Sequence, residues 1–318
     1  MKTATPPPFR GRAASRAQSK ATRAGARGTA SVAAPPLLGA HVSTAGGVHM
    51  AITRGSSIGC TAIQLFVKNN MQWFAGAPVG IEELRAFHEH ENRRAVKMVF
   101  GHSGYMINLA ATNPQFLAKS RRALEEELRR ADQLELPFLV LHPGAHMGAG
   151  VEAGLERVVE SLDVVFAKLE SIATRVALEI TAGQGSCLGC TFEQLDFVLR
   201  GVREPERLCV CLDTAHLFAA GYDLRSSEAT ESVFEAFDRI IGREHLAALH
   251  LNDSKTAFGS KVDRHEHIGK GQIGVEAFRY IMSAPRFARI PKVLETPKGK
   301  EMVEDVENLK TLRNLRAK

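Results

Sequence analysis

Short apolar runs recur along the chain, and most are separated by one amphipathic segment. Eight such runs are Leu37–Ala40, Thr61–Phe66, Val96–Phe100, Pro137–Leu141, Arg175–Ile180, Leu208–Leu212, Leu246–Leu251 and Pro291–Leu294. Near-continuous apolar runs of this length fit strands buried on both faces, as in a parallel sheet. Between them, Ile81–Arg94, Pro114–Leu134, Val151–Ile172, Ser226–Ile241 and Val275–Met282 carry apolar residues at helical spacing. The alternation predicts βα units. Eight units over residues 37–318 suit a single (β/α)8 TIM barrel, for which about 250 residues is typical. A doubly wound open sheet would give a similar alternation.

The ends of the runs distinguish the two folds. They finish in, or are followed by, His41, His102, His142, Glu179, Asp213, His250 and Glu295; only the second run, before Lys68–Asn69–Asn70, lacks such a residue. In a barrel all strand C-termini converge on one face, where active sites sit. In an open sheet they would form a line. Imidazole and carboxylate are the ligand set of zinc and similar divalent ions. His216 follows Asp213 by three residues, and Asp263 and His265 flank Arg264, so each pair can turn to one side. Five histidines (His102, His142, His216, His250, His265) and four carboxylates (Glu179, Asp213, Asp263, Glu295) are too many for one ion. They suit two or three ions sharing a carboxylate, the arrangement of metal-assisted phosphoryl transfer. Each residue alone has an ordinary structural explanation, Asp213 as a helix cap for example; their joint placement makes the pattern.

Charge is unevenly spread. Residues 1–34 hold seven Lys and Arg and no acid, and subtracting these from the net +6 leaves residues 35–318 at −1. The basic balance therefore says little about the folded body. Residues 1–36 have no apolar period and one aromatic, Phe9, and are expected to be disordered. Their composition fits either a bacterial extension that loosely holds nucleic acid or an organelle transit peptide. A cytoplasmic protein is expected in the first case, and a mitochondrial, chloroplast or nuclear one if the tail is a targeting segment. No apolar run approaches the roughly 20 residues of a membrane-spanning helix. The five cysteines, an odd number in a long chain, argue against a disulfide scaffold. Cys187-x-x-Cys190 stands without a second pair, and Cys209 and Cys211 read as buried apolar residues.

The motifs GAHVSTAGG (39–47), KNNMQW (68–73), YMINL (105–109), HPGAH (142–146), TAGQGS (181–186), CLDTAHLFAAGYDLR (211–225), HLNDSK (250–255), FGSKVDRHEHIGKGQIG (258–274) and LET (294–296) follow one another in an order that resembles the endonuclease IV family of apurinic/apyrimidinic endonucleases. The resemblance spans about residues 37–297. It implies three zinc ions, with Mn2+ able to replace zinc in part. His102, His142 and Glu179 would hold the first, Glu179, Asp213, His250 and Glu295 the second, and His216, Asp263 and His265 the third. It implies hydrolysis of the phosphodiester 5′ to an abasic site in duplex DNA, extending to removal of 3′-blocking groups. Glu179 would be the catalytic carboxylate, and a monomer is expected. Tyr105, Asn108, Gln184 and Arg264 would contact or replace nucleotides near the site. Met71 stands where some members carry Arg, so an apolar wedge would replace a charge there. Ser103–Gly104 and Ile180 also depart from a familiar form beside ligands.

Two other functions share parts of this pattern. A divalent-metal sugar isomerase or epimerase on the same barrel would use Glu179, Asp213, His250 and Glu295, leaving the other five donors without a role. A damage-binding module without turnover would not need the intact donor set.

Overall fold

The computed structural model of the protein describes residues 35–316. The segment expected to be a disordered tail lies outside them apart from Pro35 and Pro36. Eight parallel strands close into a barrel. They are β1 (Leu38–His41), β2 (Ala62–Phe66), β3 (Met98–His102), β4 (Phe138–Leu141), β5 (Arg175–Glu179), β6 (Leu208–Asp213) and β7 (Leu246–His250), followed, after an antiparallel ribbon of β8 (Asp253–Ser254) and β9 (His265–Glu266), by β10 (Lys292–Leu294). Leu38 of β1 lies opposite Lys292 of β10 and Ala40 opposite Leu294, which shuts the ring. Closure excludes the open sheet. All eight expected strands are present. β3 runs two residues later than the apolar run suggested, so that His102 is its last residue.

The helices are α1 (His49–Ser57), α2 (Ile81–His88), α3 (Pro114–Gln133), α4 (Val151–Phe166), α5 (Phe192–Gly201), α6 (Thr214–Ala220), α7 (Ser227–Ile240), α8 (Glu276–Ser283) and α9 (Val303–Arg316). Their starts follow local chemistry. Asn113 accepts a hydrogen bond from the Phe116 amide with Pro114 in the first turn of α3, and Thr191 and Ser226 cap α5 and α7 in the same way. The spacing anticipated α2, α3, α4, α7 and α8. It did not show α1, whose stripe is thinned by Gly55, Ser56 and Ser57, nor α5, which opens directly from the glycine-rich loop 183–189. Nor did it show α6, only seven residues long and stopped by Gly221 at φ 108°. Among the described residues no helix is long and apolar enough to cross a membrane.

Two apolar layers follow from alternation along the strands. Ala62, Phe100, Phe138, Val140, Ala177, Cys209, Cys211, Ala248 and Val293 pack inside the barrel. Leu65, Leu139, Leu178, Leu212 and Leu249 face outward into a larger cluster with the helices. Cys209 and Cys211 are buried thiols, as expected.

Gly39 on β1 stands tight against β2. A Cβ there would lie 1.7 Å from the carbonyl oxygen of Ala62 and 2.9 Å from Cys60 Cβ. The obstacle is backbone, which cannot move aside without opening the β1–β2 pairing. Gly39→Ala is expected to destabilise the fold by about 3 kcal/mol or more, the upper range for overpacking. Gly299→Ala, whose nearest neighbour is 3.7 Å away, is expected to stay within about 0.5 kcal/mol of the parent. Denaturant midpoints of the two variants check this.

Candidate metal centre

The same alternation that fills the barrel builds the site on top of it. The interior residues Phe100, Val140, Ala177, Cys211, Ala248 and Val293 are each followed two positions later by His102, His142, Glu179, Asp213, His250 and Glu295. Side chains two apart on a strand share a face, so these six rise from the core into one bowl. His216 enters from the first turn of α6, and His265 from the β8–β9 ribbon, with Asp263 just before it.

Glu179 is the centre, with no exposed surface. Its Oε2 lies 3.2 Å from His102 Nε2 and 2.9 Å from His142 Nε2. Its Oε1 lies 2.8 Å from His250 Nδ1 and 3.4 Å from His216 Nδ1. His250 Nδ1 also lies 3.2 Å from Glu295 Oε2 and 3.8 Å from Asp213 Oδ2. Asp263 bridges His216 Nε2 at 3.2 Å and His265 Nε2 at 3.3 Å, and His265 Nε2 is 3.8 Å from Asp213 Oδ2. Three groups with donor atoms within 4.8 Å of one another result: His102–His142–Glu179, Glu179–Asp213–His250–Glu295 and Asp213–His216–His265. All nine residues singled out by sequence thus meet, with Asp213 reaching two groups and Asp263 at the more exposed edge.

The outer nitrogens fix which atom each imidazole presents. His102 Nδ1 lies 2.7 Å from Ser103 O, His216 Nδ1 2.9 Å from Ile180 O, and His265 Nδ1 3.1 Å from Glu295 O. A carbonyl only accepts, so these nitrogens carry the proton and Nε2 points inward. His216 Nε2 and His265 Nε2 then face each other 3.5 Å apart, flanked by carboxylates. Neutral rings in this pose present lone pairs to lone pairs. Only a cation, a proton or a metal ion, satisfies them together. The donor set therefore fits divalent metal.

Without metal, protons serve. Burial opposes charge on His216, but the carboxylates of Asp213, Asp263 and Glu179 outweigh it and hold its pKa well above the usual imidazole range. Burial likewise opposes charge on His265, and Asp213 and Asp263 raise it to about 9. Burial alone would raise Glu179; His250, His142 and His102 instead hold it well below the usual carboxylate value.

Sequence reading missed three supports. Gln64 on β2 is fully buried and contacts His250, Glu295 and His41. Asn252 donates to Asp213 Oδ2 at 2.5 Å and accepts from the Glu295 amide at 2.7 Å. Asp253, also fully buried, accepts backbone N–H bonds from Ser254, Gly269, Gly271 and Ile273, which folds the loop following His265. Gln64 was signalled by parity: it stands two residues after interior Ala62.

The residues expected to meet nucleotides divide. Met71 and Tyr105 are exposed, with the Tyr105 ring 6.0 Å from that of His102. Arg264 is exposed and lines a cavity with His142, His216 and Asp263. Asn108 and Gln184 brace loops as well as facing the site: Asn108 lines a cavity with Tyr105 and His142, and Gln184, exposed, lines the one that holds Arg264. Asn108 brackets Ala145 at 3.0 and 2.9 Å, and Gln184 Oε1 accepts from the Asp263 amide at 3.0 Å. The departures at Ser103 and Ile180 leave ligand support intact, because both hold their histidines through backbone carbonyls.

Residues 52–313 match the family model of xylose isomerase-like TIM barrels. The chain is 46% identical over 280 residues to the probable endonuclease 4 of Chloroflexus aggregans, covering 88% of this chain and 98% of that protein. It is 45% identical over 278 residues to the probable endonuclease 4 of Geobacter sulfurreducens, covering 87% and 94%. The crystal structure of endonuclease IV from Thermus thermophilus superposes with a TM-score of 0.75 at 34% identity, covering 88% of this chain and 98% of that one. A D-tagatose 3-epimerase-like protein superposes with a TM-score of 0.66 at 18% identity, a likeness of fold alone. By sequence over nearly the whole barrel, and by fold, the chain belongs to the endonuclease IV family of xylose isomerase-like TIM barrels.

Proposed function

We propose that the protein is a zinc-dependent DNA-repair phosphodiesterase that hydrolyses the phosphodiester 5′ to an abasic site in duplex DNA, leaving a 3′-hydroxyl and a 5′-deoxyribose phosphate. The observation that carries this is the set of three overlapping His/carboxylate groups at one barrel mouth. The endonuclease 4 name borne by its relatives supports DNA as the substrate. His102, His142 and Glu179 would hold one ion, Glu179, Asp213, His250 and Glu295 a second, and His216, His265 and Asp263 a third, with Asp213 in reach. Mixed imidazole and carboxylate donors suit zinc, with Mn2+ as a partial substitute. Bound ions of this kind lower the pKa of water and neutralise charge on phosphoryl oxygens.

The chain supplies position and proton control. Glu179, ionised at neutral pH, holds the two inner groups at one spacing and accepts a hydrogen bond from the attacking water. Its burial excludes bulk solvent from that contact. Tyr105 and Met71 present apolar surface on exposed loops, fit to enter the gap left when an abasic sugar leaves the stack, where no base has to be unpaired. Arg264 offers a cation to a backbone phosphate. Glu179–Asp213–His250–Glu295 forms a group by itself, which alone would suit a sugar isomerase or epimerase; the other two groups have no part in that chemistry.

Three measurements test these statements. Glu179→Gln is expected to lower kcat on duplex carrying one abasic site by about 10^3-fold or more, the scale for removing a central charge-stabilising group; near-normal turnover overturns the role. Elemental analysis of protein purified without chelator is expected to give about three zinc per chain, one for each proposed group, and a single ion would favour the isomerase. Zinc loading of metal-free protein near pH 7 should expel on the order of three protons, since His216, His250 and His265 are held protonated there. Release from His265 fades as pH rises through about 9, where its proton is already gone, and zinc affinity falls as pH drops. Calorimetry in buffers of different ionisation enthalpy reads the proton count, and pH-independent release contradicts the charge states.

A further inference from the structure

β2 is the strand whose apolar run ended on no histidine or acid. Yet it sends one residue into the bowl, at the position that alternation assigns. Gln64 has no exposed surface. Its Nε2 lies 2.6 Å from Glu295 Oε1 and 2.8 Å from His41 Nδ1, and its Oε1 lies 2.7 Å from His250 Nε2. A carboxylate only accepts, so the amide nitrogen must face Glu295 and the amide oxygen must face His250. His250 Nε2 therefore carries a proton, and Nδ1 is the atom turned toward Glu179 and Glu295.

This differs from the other oriented histidines. His102, His216 and His265 are held by backbone carbonyls, which no side-chain change removes. His250 depends on a side chain. The same side chain occupies Glu295 Oε1, which leaves Oε2 for the group, 3.2 Å from His250 Nδ1. Among uncharged side chains, a primary amide combines an acceptor and a two-hydrogen donor on one planar group. An apolar residue in this slot would leave His250 free to present either nitrogen, and would free Glu295 to turn.

We infer that Gln64 is a positioning residue for the Glu179–Asp213–His250–Glu295 group: it selects Nδ1 of His250 as the metal-facing atom and sets the free oxygen of Glu295 beside it. The inference rests on the proposed metal function. It concerns a residue outside the nine donors and makes β2 a contributor to the site.

The test uses full-length Gln64→Met, similar in volume but without an acceptor or donor at that place. Competition with a chromophoric chelator is expected to show one zinc per chain bound about 10–100-fold more weakly, the usual effect of losing a hydrogen bond behind a metal-bound histidine. The remaining ions should keep parental affinity. Cobalt-loaded protein should show altered ligand-field bands for that one ion, and the melting temperature should fall further below the parent's in zinc-loaded than in metal-free protein, where only the lost hydrogen bonds count. Parental zinc affinity and unchanged cobalt bands in the variant overturn the inference and leave the metal function standing. An equal loss of melting temperature in metal-free and loaded protein also overturns it, assigning Gln64 to packing. A parent chain that binds no zinc at this group removes the metal function itself, and the inference with it. Gln64→Leu serves in the same assays should the methionine variant not fold.

Discussion

A carboxylate with no access to water must find its charge partners in the protein, and in Glu179 four imidazoles supply them. The upper half of the barrel is arranged around that requirement. Removing an ion from water is costly unless its partners are placed well. Here the partners come from four different strands or their following turns, so the site exists only when the ring is closed. The low pKa of Glu179 and the raised values of His216 and His265 are two sides of one constraint: negative donors outcompete burial, and something positive must sit among them.

Support for these donors reaches outward by short steps. Backbone carbonyls of Ser103, Ile180 and Glu295 take the outer protons of three histidines. Asn252 ties Asp213 to the segment carrying Glu295. Asp213 does two jobs: Oδ1 caps α6 through the His216 amide at 2.8 Å while Oδ2 reaches into the bowl. One carboxylate thus sets the start of the helix that delivers His216. Under the rim, Lys68 and Glu127 form a buried ion pair at 2.9 Å, and Glu127 also accepts from the Gly104 amide at 3.0 Å. That pair links the loop of Met71 to the loop of Tyr105. A Cβ at 104 would be a tight fit, 3.2 Å from both Glu127 Oε1 and Lys68 Nζ and 3.3 Å from Asn70 O, so those neighbours would have to shift by a few tenths of an ångström.

The nine donors, the eight strands and the barrel were legible in the sequence because all rest on short-range regularities. Buried parallel strands must be apolar, so the runs stand out. Polar residues placed where those runs end stand out against them. Parity along a strand also marks Gln64, two positions after Ala62, although the ends of the runs alone do not reveal it. What lacked a local signal was long-range pairing. That Asn108 would bracket Ala145, and Gln184 hold the Asp263 amide, depends on loops 37 and 79 residues away, and no spacing rule connects them. Likewise no periodicity shows which nitrogen of a histidine faces inward, since that depends on which carbonyl or amide oxygen the fold brings behind the ring. The residues of the bowl and the layer they occupy can be read along the chain, since alternation and burial act residue by residue. Their grouping, their charge and their orientation depend on distances across a ring that only closure brings within a few ångströms.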